Sequence, residues 1–140
     1  MINRTKKRIL VTVAIFIGSL GLQVNANEFA VGYIAGSYHF DRELSKNENQ
    51  NGVYMRYKWF GAGVYTNTMH TTSRFVGGQW RLKRIGMADF SISAVIADGY
   101  EGYKSARGDY LLIPSIDAKF EYMWISIAPK AAFTGVELDF

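Results

Sequence analysis

The chain has 140 residues, no cysteine, nine Tyr and three Trp. Its formal charge of +4 comes from the first 26 residues, which hold four of the 16 basic residues and none of the 12 acidic ones. The remainder is formally neutral, so charge does not support a nucleic-acid partner, and the lack of cysteine excludes a disulfide framework.

Residues 1–26 have the pattern of a secretory signal peptide. Basic residues cluster at positions 4–8, an apolar run of 14 residues follows at 9–22, and small residues precede a cleavage site after Ala26. The run is shorter than the roughly 18 apolar residues that a membrane-spanning helix needs. We therefore predict export and one mature domain, residues 27–140.

In chain order, alternation of apolar and polar residues predicts eight strands in the mature domain. They are residues 28–40, 52–60, 61–69, 73–83, 87–98, 109–121, 123–129 and 131–140. The last strand places Val136, Leu138 and Phe140 on one face, which resembles the terminal strand of bacterial outer-membrane proteins. At about 9 to 11 residues per tilted span, eight strands fit the length. The predicted fold class is all-β, an eight-stranded antiparallel transmembrane β-barrel in the outer membrane of a Gram-negative bacterium.

The connections between these strands predict an orientation. Residues 41–51 and 98–108 form long polar connections, whereas the joints near residues 60–61, 83–86 and 122–123 are tight. Outer-membrane barrels place short turns in the periplasm and longer loops outside. The predicted inward charges then collect in the periplasmic half of the lumen: Arg56, Lys58, Arg81, Lys83, Asp117, Lys119, Glu121, Glu137 and Asp139.

The extracellular half of the lumen is predicted to be an apolar well. Its inward residues carry no formal charge: Tyr65, Phe75, Gly77, Val95, Leu111, Ile113, Ala128 and Phe133. The barrel is just wide enough to be filled by its side chains or to hold one slim ligand. Pro114 and Pro129 fall in adjacent strands, where the lack of an N–H donor predicts either a lateral gap or the end of a strand.

Three stretches resemble the PagP-type lipid A palmitoyltransferases, small outer-membrane barrels that move an acyl chain from a phospholipid to lipid A. They are residues 37–42, residues 63–65 through 77–80, and residues 114–116 through 127–129 with the terminal strand. The resemblance implies an acyltransferase that acts on outer-leaflet lipids without a cofactor.

The same resemblance implies site residues. The family's catalytic histidine falls on His39, a candidate general base. The family's Asp-Ser pair aligns with Asn67 and Thr68 when the alignment is anchored on strand four. Anchoring on residues 63–65 instead sets the pair on Thr71 and Thr72. Both placements lose the carboxylate.

Further residues are predicted to line the substrate site. The family's glycine at the bottom of its acyl pocket aligns with Gln79, whose longer side chain predicts an acyl chain shorter than palmitate. The family's short amino-terminal helix has no counterpart here. The predicted substrate-binding residues are Tyr65, Phe75, Gly77, Gln79, Leu111, Ile113, Pro114 and Pro129.

Other classes have less support. His39 and His70 are the only histidines and have no clustered carboxylates, so we predict no metal and no cofactor. Eight strands leave too narrow a lumen for a pore. The expected partners are phospholipid and lipid A, with no nucleic acid, and the expected state is a monomer. The alternative function is a non-enzymatic surface barrel, host- or phage-encoded, that alters the envelope through its loops.

Overall fold

The computed structural model describes residues 28–40, 48–104 and 106–140, so the predicted signal peptide and most of the first long loop lie outside the described residues. Eight antiparallel strands close into one barrel, in which β8 pairs with β1. They are β1 Phe29–His39, β2 Gly52–Tyr57, β3 Phe60–Thr66, β4 Thr72–Ile85, β5 Ala88–Ala97, β6 Leu111–Phe120, β7 Met123–Ile127 and β8 Ala131–Asp139. The predicted all-β class, the strand number and the antiparallel barrel are confirmed.

Three tight turns lie at one end of the barrel, which we call the turn end; the opposite end is the loop end. The turns occupy residues 58–59, 86–87 and 121–122, so the predicted joints were one to three residues off. Lys58 and Glu121 each have a φ of 53°. This left-handed conformation is what two-residue hairpin turns require, and it is not marked by glycine at either position.

The outer face of the barrel is apolar. Leu112 and Ile116 on β6 are 63% and 61% exposed, and alternate residues of the other strands follow the same pattern. Among the described residues, the strongly exposed aliphatic side chains of the strands include Val76, Leu82, Ile92, Ile96, Ile125, Ile127, Val136 and Leu138. Soluble domains place such side chains inside, so this distribution is inverted. No helix in the described ranges is long and apolar enough to cross a membrane.

Ion pairs fill the lumen at the turn end. Glu137 is 6% exposed, and its Oε1 accepts hydrogen bonds from Arg56 Nη2 at 2.8 Å and Lys119 Nζ at 2.9 Å. Asp139 pairs with both cations, and the Tyr54 hydroxyl donates to Glu137 Oε2 at 2.8 Å. Pairing of this kind offsets the cost of burying charge. The predicted inward placement of these four charged residues is confirmed.

The other four charged side chains predicted at this level of the lumen are placed differently. Lys58 and Glu121 lie in turns, so their predicted inward placement was wrong. A β-bulge between Arg81 and Lys83 puts Lys83 opposite Phe90, which moves it to the outer face. Arg81 pairs with Asp89 at 3.2 Å, and its side chain is 73% exposed at the rim of the barrel.

Candidate functional site

Three side chains meet at the loop end, and we call His39, Gln50 and Thr68 the mouth cluster. Thr68 Oγ1 lies 3.1 Å from His39 Nε2 and accepts a hydrogen bond from Gln50 Nε2 at 2.8 Å. His39 is 4% exposed and Gln50 is fully buried. With its proton on Nδ1, the imidazole accepts the Thr68 hydroxyl proton at Nε2, which aligns that nitrogen as a base.

The barrel wall fixes His39 from behind. His39 is the last residue of β1 and lies in register with Ala131 of β8. The next residue, Phe40, donates its N–H to the Lys130 carbonyl at 3.0 Å. Because the backbone is paired on the β8 side at His39 and at the residue after it, the ring enters the mouth cluster from a strand end rather than from a free loop.

The β3–β4 connection presents Thr68, and Asn67 holds that connection in shape. Asn67 is fully buried; its Nδ2 donates to Thr71 Oγ1 at 2.8 Å, Ser73 Oγ at 2.9 Å and the Gly99 carbonyl at 2.7 Å. Its Oδ1 accepts the backbone N–H of Met69 and of Thr71. Both ends of the amide are therefore engaged in the connection, and Asn67 acts as a positioning residue for Thr68.

The alternative alignment on Thr71 and Thr72 places neither residue at the mouth cluster. The Thr71 hydroxyl accepts from Asn67 and donates to the Gly99 carbonyl at 3.3 Å. Thr72 is exposed at the first position of β4. Of the predicted hydroxyl residues, Thr68 is the one that the structure brings to His39.

A cavity of about 270 Å³ opens through the barrel wall beside the mouth cluster, and we call it the lateral cavity. The β6–β7 ladder stops at Ile116↔Ile127, although β6 continues to Leu111. The wall above Ile116 therefore lacks its neighbouring strand. His39 and Thr68 line this cavity together with Tyr100, Leu111, Leu112, Pro114, Ala128 and Pro129.

Proline chemistry explains why the wall opens there. Pro114 stays within β6 opposite Ala94 of β5, so its missing N–H must face away from β5, toward the β7 side. Pro129 follows the end of β7, and both prolines are exposed. The two alternatives for the prolines thus both occur, with one flanking the lateral gap from inside a strand and the other just beyond a strand end.

A second cavity, of about 170 Å³, lies inside the barrel, and we call it the lumen cavity. Its upper wall is apolar and its floor is polar. Ile113 and Phe133 line both cavities, so the two adjoin. The predicted residues Tyr65, Phe75, Gly77, Gln79 and Ile113 all line the lumen cavity, whereas Leu111, Pro114 and Pro129 line the lateral one.

The loop after β5 covers the lumen from the loop end. Tyr100 is 2% exposed, and its hydroxyl lies 2.5 Å from that of Tyr65. Burial raises the pKa of Tyr100 above its ordinary value, so the phenol stays protonated. The Tyr103 ring packs edge-on against Tyr100 at 5.5 Å between ring centroids. Tyr100 and Tyr103 therefore pack across the loop end of the lumen.

Two members of this site, Gln50 and Tyr100, were not predicted from the sequence. Both lie in connections, where no periodicity indicates which way a side chain points. The one sequence feature near Tyr100 is the turn-forming pair Asp98 and Gly99, and Gly99 has a φ of 81°. That pair predicts a turn, but not a tyrosine buried beneath it.

No protein-family model matches the chain, and no curated protein matches it. Within residues 28–40, 48–104 and 106–140, no group of three or more His, Asp or Glu side chains is placed to hold a metal ion. The resemblance to the lipid A palmitoyltransferases therefore rests on the quoted stretches of sequence. The mouth cluster and the two cavities are observed in the structure and do not depend on that resemblance.

Proposed function

We propose that this protein is an outer-membrane barrel that transfers an acyl chain from a phospholipid to a hydroxyl of lipid A in the outer leaflet. One observation carries the proposal: His39 and Thr68 form a 3.1 Å pair on the wall of a lateral cavity that adjoins an internal apolar cavity. Such a transfer requires a base on the wall of a lateral opening that adjoins an internal apolar cavity.

The outer surface supports membrane insertion. Strand positions that face outward carry aliphatic side chains, and aromatic residues gather near the turn end, where Trp59 and Trp80 stack at 6.3 Å between ring centroids. Belts of Trp at the membrane interface are typical of outer-membrane barrels. A protein inserted in this way would present its longer loops, and with them the mouth cluster, to the cell exterior.

In the proposed reaction His39 acts as the general base. The acceptor hydroxyl oxygen attacks the carbonyl carbon of the donor ester while His39 Nε2 takes the hydroxyl proton. A new ester C–O bond forms, the donor C–O bond breaks, and the imidazolium returns the proton to the leaving glycerol oxygen. The acceptor hydroxyl takes the place of the Thr68 hydroxyl at Nε2, and Gln50 keeps Thr68 beside the ring through its hydrogen bond to Thr68 Oγ1. The step needs no oxidant and no cofactor.

The lumen cavity would hold the acyl chain during transfer. The chain enters from the outer leaflet past Pro114 and Pro129 and runs down between Phe75 and Ile113. Gln79 lines the lower part of the cavity, where its side chain donates to Asp117 Oδ2 at 3.2 Å. A side chain fixed at this level shortens the available space, so we propose a transferred chain shorter than palmitate.

The test is an acyl-transfer assay with the purified, refolded barrel. Detergent-solubilised phospholipid and lipid A serve as substrates, and mass spectrometry detects acylated lipid A and released fatty acid. His39→Ala is expected to lower the transfer rate by about 10²- to 10⁴-fold, the usual contribution of a general base. His70→Ala is the matched control, because His70 is the exposed second histidine of the chain.

A negative result in this assay would also decide the question. If the wild-type barrel produces neither acylated lipid A nor free fatty acid, and His39→Ala leaves cellular lipid profiles unchanged, the acyltransferase proposal fails. The surface-barrel alternative then predicts that replacing residues 41–51 with a short turn abolishes the effect on the envelope.

A further inference from the structure

A row of polar side chains runs along the floor of the lumen cavity on four consecutive strands, and we call it the polar belt. It consists of Gln79 on β4, Ser93 on β5, Ser115 and Asp117 on β6, and Ser126 on β7. The sheet register makes it continuous: Gln79 is opposite Ser93, Ser93 is opposite Ser115, and Asp117 is opposite Ser126.

Hydrogen bonds in the belt converge on Asp117. Ser115 Oγ donates to Asp117 Oδ1 at 3.0 Å, and Gln79 Nε2 donates to Asp117 Oδ2 at 3.2 Å. The Ser93 and Ser115 hydroxyl oxygens lie 2.6 Å apart. Since Ser115 gives its proton to Asp117, Ser93 donates to Ser115, and the lone pairs of Ser93 stay available to accept from a ligand.

Asp117 has no cation partner within residues 28–40, 48–104 and 106–140. It is 6% exposed, and among the residues that the structure describes the cations of the lumen pair with Glu137 and Asp139 instead. A buried carboxylate has about four lone-pair sites, of which two are used here. Burial of a charge is costly unless hydrogen bonds satisfy it, so Asp117 favours a ligand that brings a further donor.

An acyl chain that ends in a methyl group would bind weakly at the polar belt. From Leu111 at the mouth to Asp117, β6 covers roughly 20 Å of strand, so an acyl chain held at His39 points its far end at the belt. A terminal methyl there would displace water from Asp117 and Ser93 without replacing its hydrogen bonds, which weakens binding. A terminal hydroxyl supplies both a donor for Asp117 and an acceptor.

We propose that the lumen cavity selects acyl chains that carry a hydroxyl group at or near the far end, with Asp117 as the acceptor of its proton. This selectivity rests on the proposed function for the identity of the ligand as an acyl chain. Binding is separable from transfer, so the two can fail independently.

The test compares straight-chain saturated fatty acids of increasing length with their ω-hydroxy counterparts. The purified, refolded barrel is titrated with each acid in competition with a fluorescent fatty acid. At the best-fitting length, the hydroxy acid is expected to bind about tenfold more tightly, the factor that one hydrogen bond to a charged group gives. Equal affinity of the two acids at every length, or tighter binding of the plain acid, would overturn the proposal.

Variants assign the preference to the belt. Asp117→Leu is expected to abolish or invert the preference. Ser93→Ala leaves the carboxylate in place but removes the donor to Ser115, which orients the Ser115 hydroxyl toward Asp117, and is expected to reduce the preference. Thr72→Ala is the control, because Thr72 carries an exposed hydroxyl at the start of β4 and lines neither cavity. Retention of the preference in Asp117→Leu and Ser93→Ala contradicts the assignment. A hydroxy-acid preference in a barrel that transfers no acyl chain supports the belt and rejects only the proposed reaction.

Discussion

Asn67 shows how a residue at a candidate catalytic position is used for structure. Its Nδ2 donates to three acceptors and its Oδ1 accepts two backbone N–H groups, all within the loop-end connections. An aspartate has the same shape but cannot donate. The Gly99 carbonyl can only accept and therefore requires the amide, whereas the Thr71 and Ser73 hydroxyls can either accept or donate.

We expect Asn67→Asp to destabilise the barrel without raising activity. The Gly99 carbonyl would face a carboxylate that offers no proton, and the Thr71 and Ser73 hydroxyls would have to leave their own acceptors to donate to it, at a cost of about 1 to 3 kcal/mol. Denaturant unfolding in detergent micelles measures this loss. Asn67→Ser is the comparison, because its hydroxyl still donates one hydrogen bond. A gain in transfer rate for Asn67→Asp would show that position 67 is catalytic.

Gln79 allows a direct test of how the cavity sets chain length. Gln79→Gly removes a side chain from the lower part of the lumen cavity, and we expect the longest transferred chain to increase. Mass spectrometry of products from mixed-chain phospholipids gives the distribution of chain lengths. Gly61→Ala changes the same cavity in the other direction and should shorten the chain. An unchanged distribution in both variants would place the acyl chain elsewhere.

At the level of elements, strand number followed from the sequence but strand ends did not. Period-two alternation predicted all eight strands because each strand faces an apolar exterior on one side. The turn at Lys58 has no glycine, and the bulge before Lys83 adds one residue to β4. Neither feature can be recognised from the alternation of apolar and polar residues. A bulge, for example, shifts side chains from one face to the other through a backbone change alone.

The strand pattern predicted the residues of the candidate site that lie on strands but not those that lie in connections. His39 lies at a strand end, and its placement follows from the strand pattern. Gln50 and Tyr100 lie in connections, and their burial depends on which loops fold over the barrel mouth. The serines of the polar belt alternate with apolar residues, so their inward direction was predictable, but their cross-strand alignment required the register.

The open edge between β6 and β7 gives a prediction at this scale. Ala128 is 7% exposed and lines the lateral cavity. We expect Ala128→Phe to fill the opening and to reduce transfer from bilayer phospholipid at least about tenfold, with the fold retained. Ala118→Phe, on the outer face of the lower part of β6, is the control and should leave transfer unchanged.

The same two variants separate lateral entry from entry through the top. If the chain reached the lumen from the loop end, Ala128→Phe would transfer at the same rate as Ala118→Phe. If entry is lateral, Ala128→Phe lowers the transfer rate and Ala118→Phe leaves it unchanged, because Ala128 lines the lateral cavity and Ala118 does not.

Across the whole molecule, the distribution of charged and aliphatic side chains is the reverse of that in a soluble domain. Charged groups occupy the lumen at the turn end, and the aliphatic residues of alternate positions cover the exterior. In water this arrangement would leave a continuous apolar surface around the barrel. In a bilayer the same arrangement is favourable, since the ladders pair the backbone groups everywhere except the β6–β7 gap and lipid covers the outer side chains.

The free-energy cost of an outward-facing arginine depends on depth in a bilayer but not in water, which distinguishes the two environments. Ile116, midway along β6, and Leu138, near the turn end of β8, are 61% and 57% exposed, so a soluble barrel would tolerate arginine equally well at both positions. In a bilayer we expect Ile116→Arg to cost about 2 to 4 kcal/mol and Leu138→Arg about 0 to 1 kcal/mol, because the penalty falls toward the interface. Reversible unfolding from lipid vesicles measures both. Equal and small costs would mean that the apolar exterior is covered by something other than lipid.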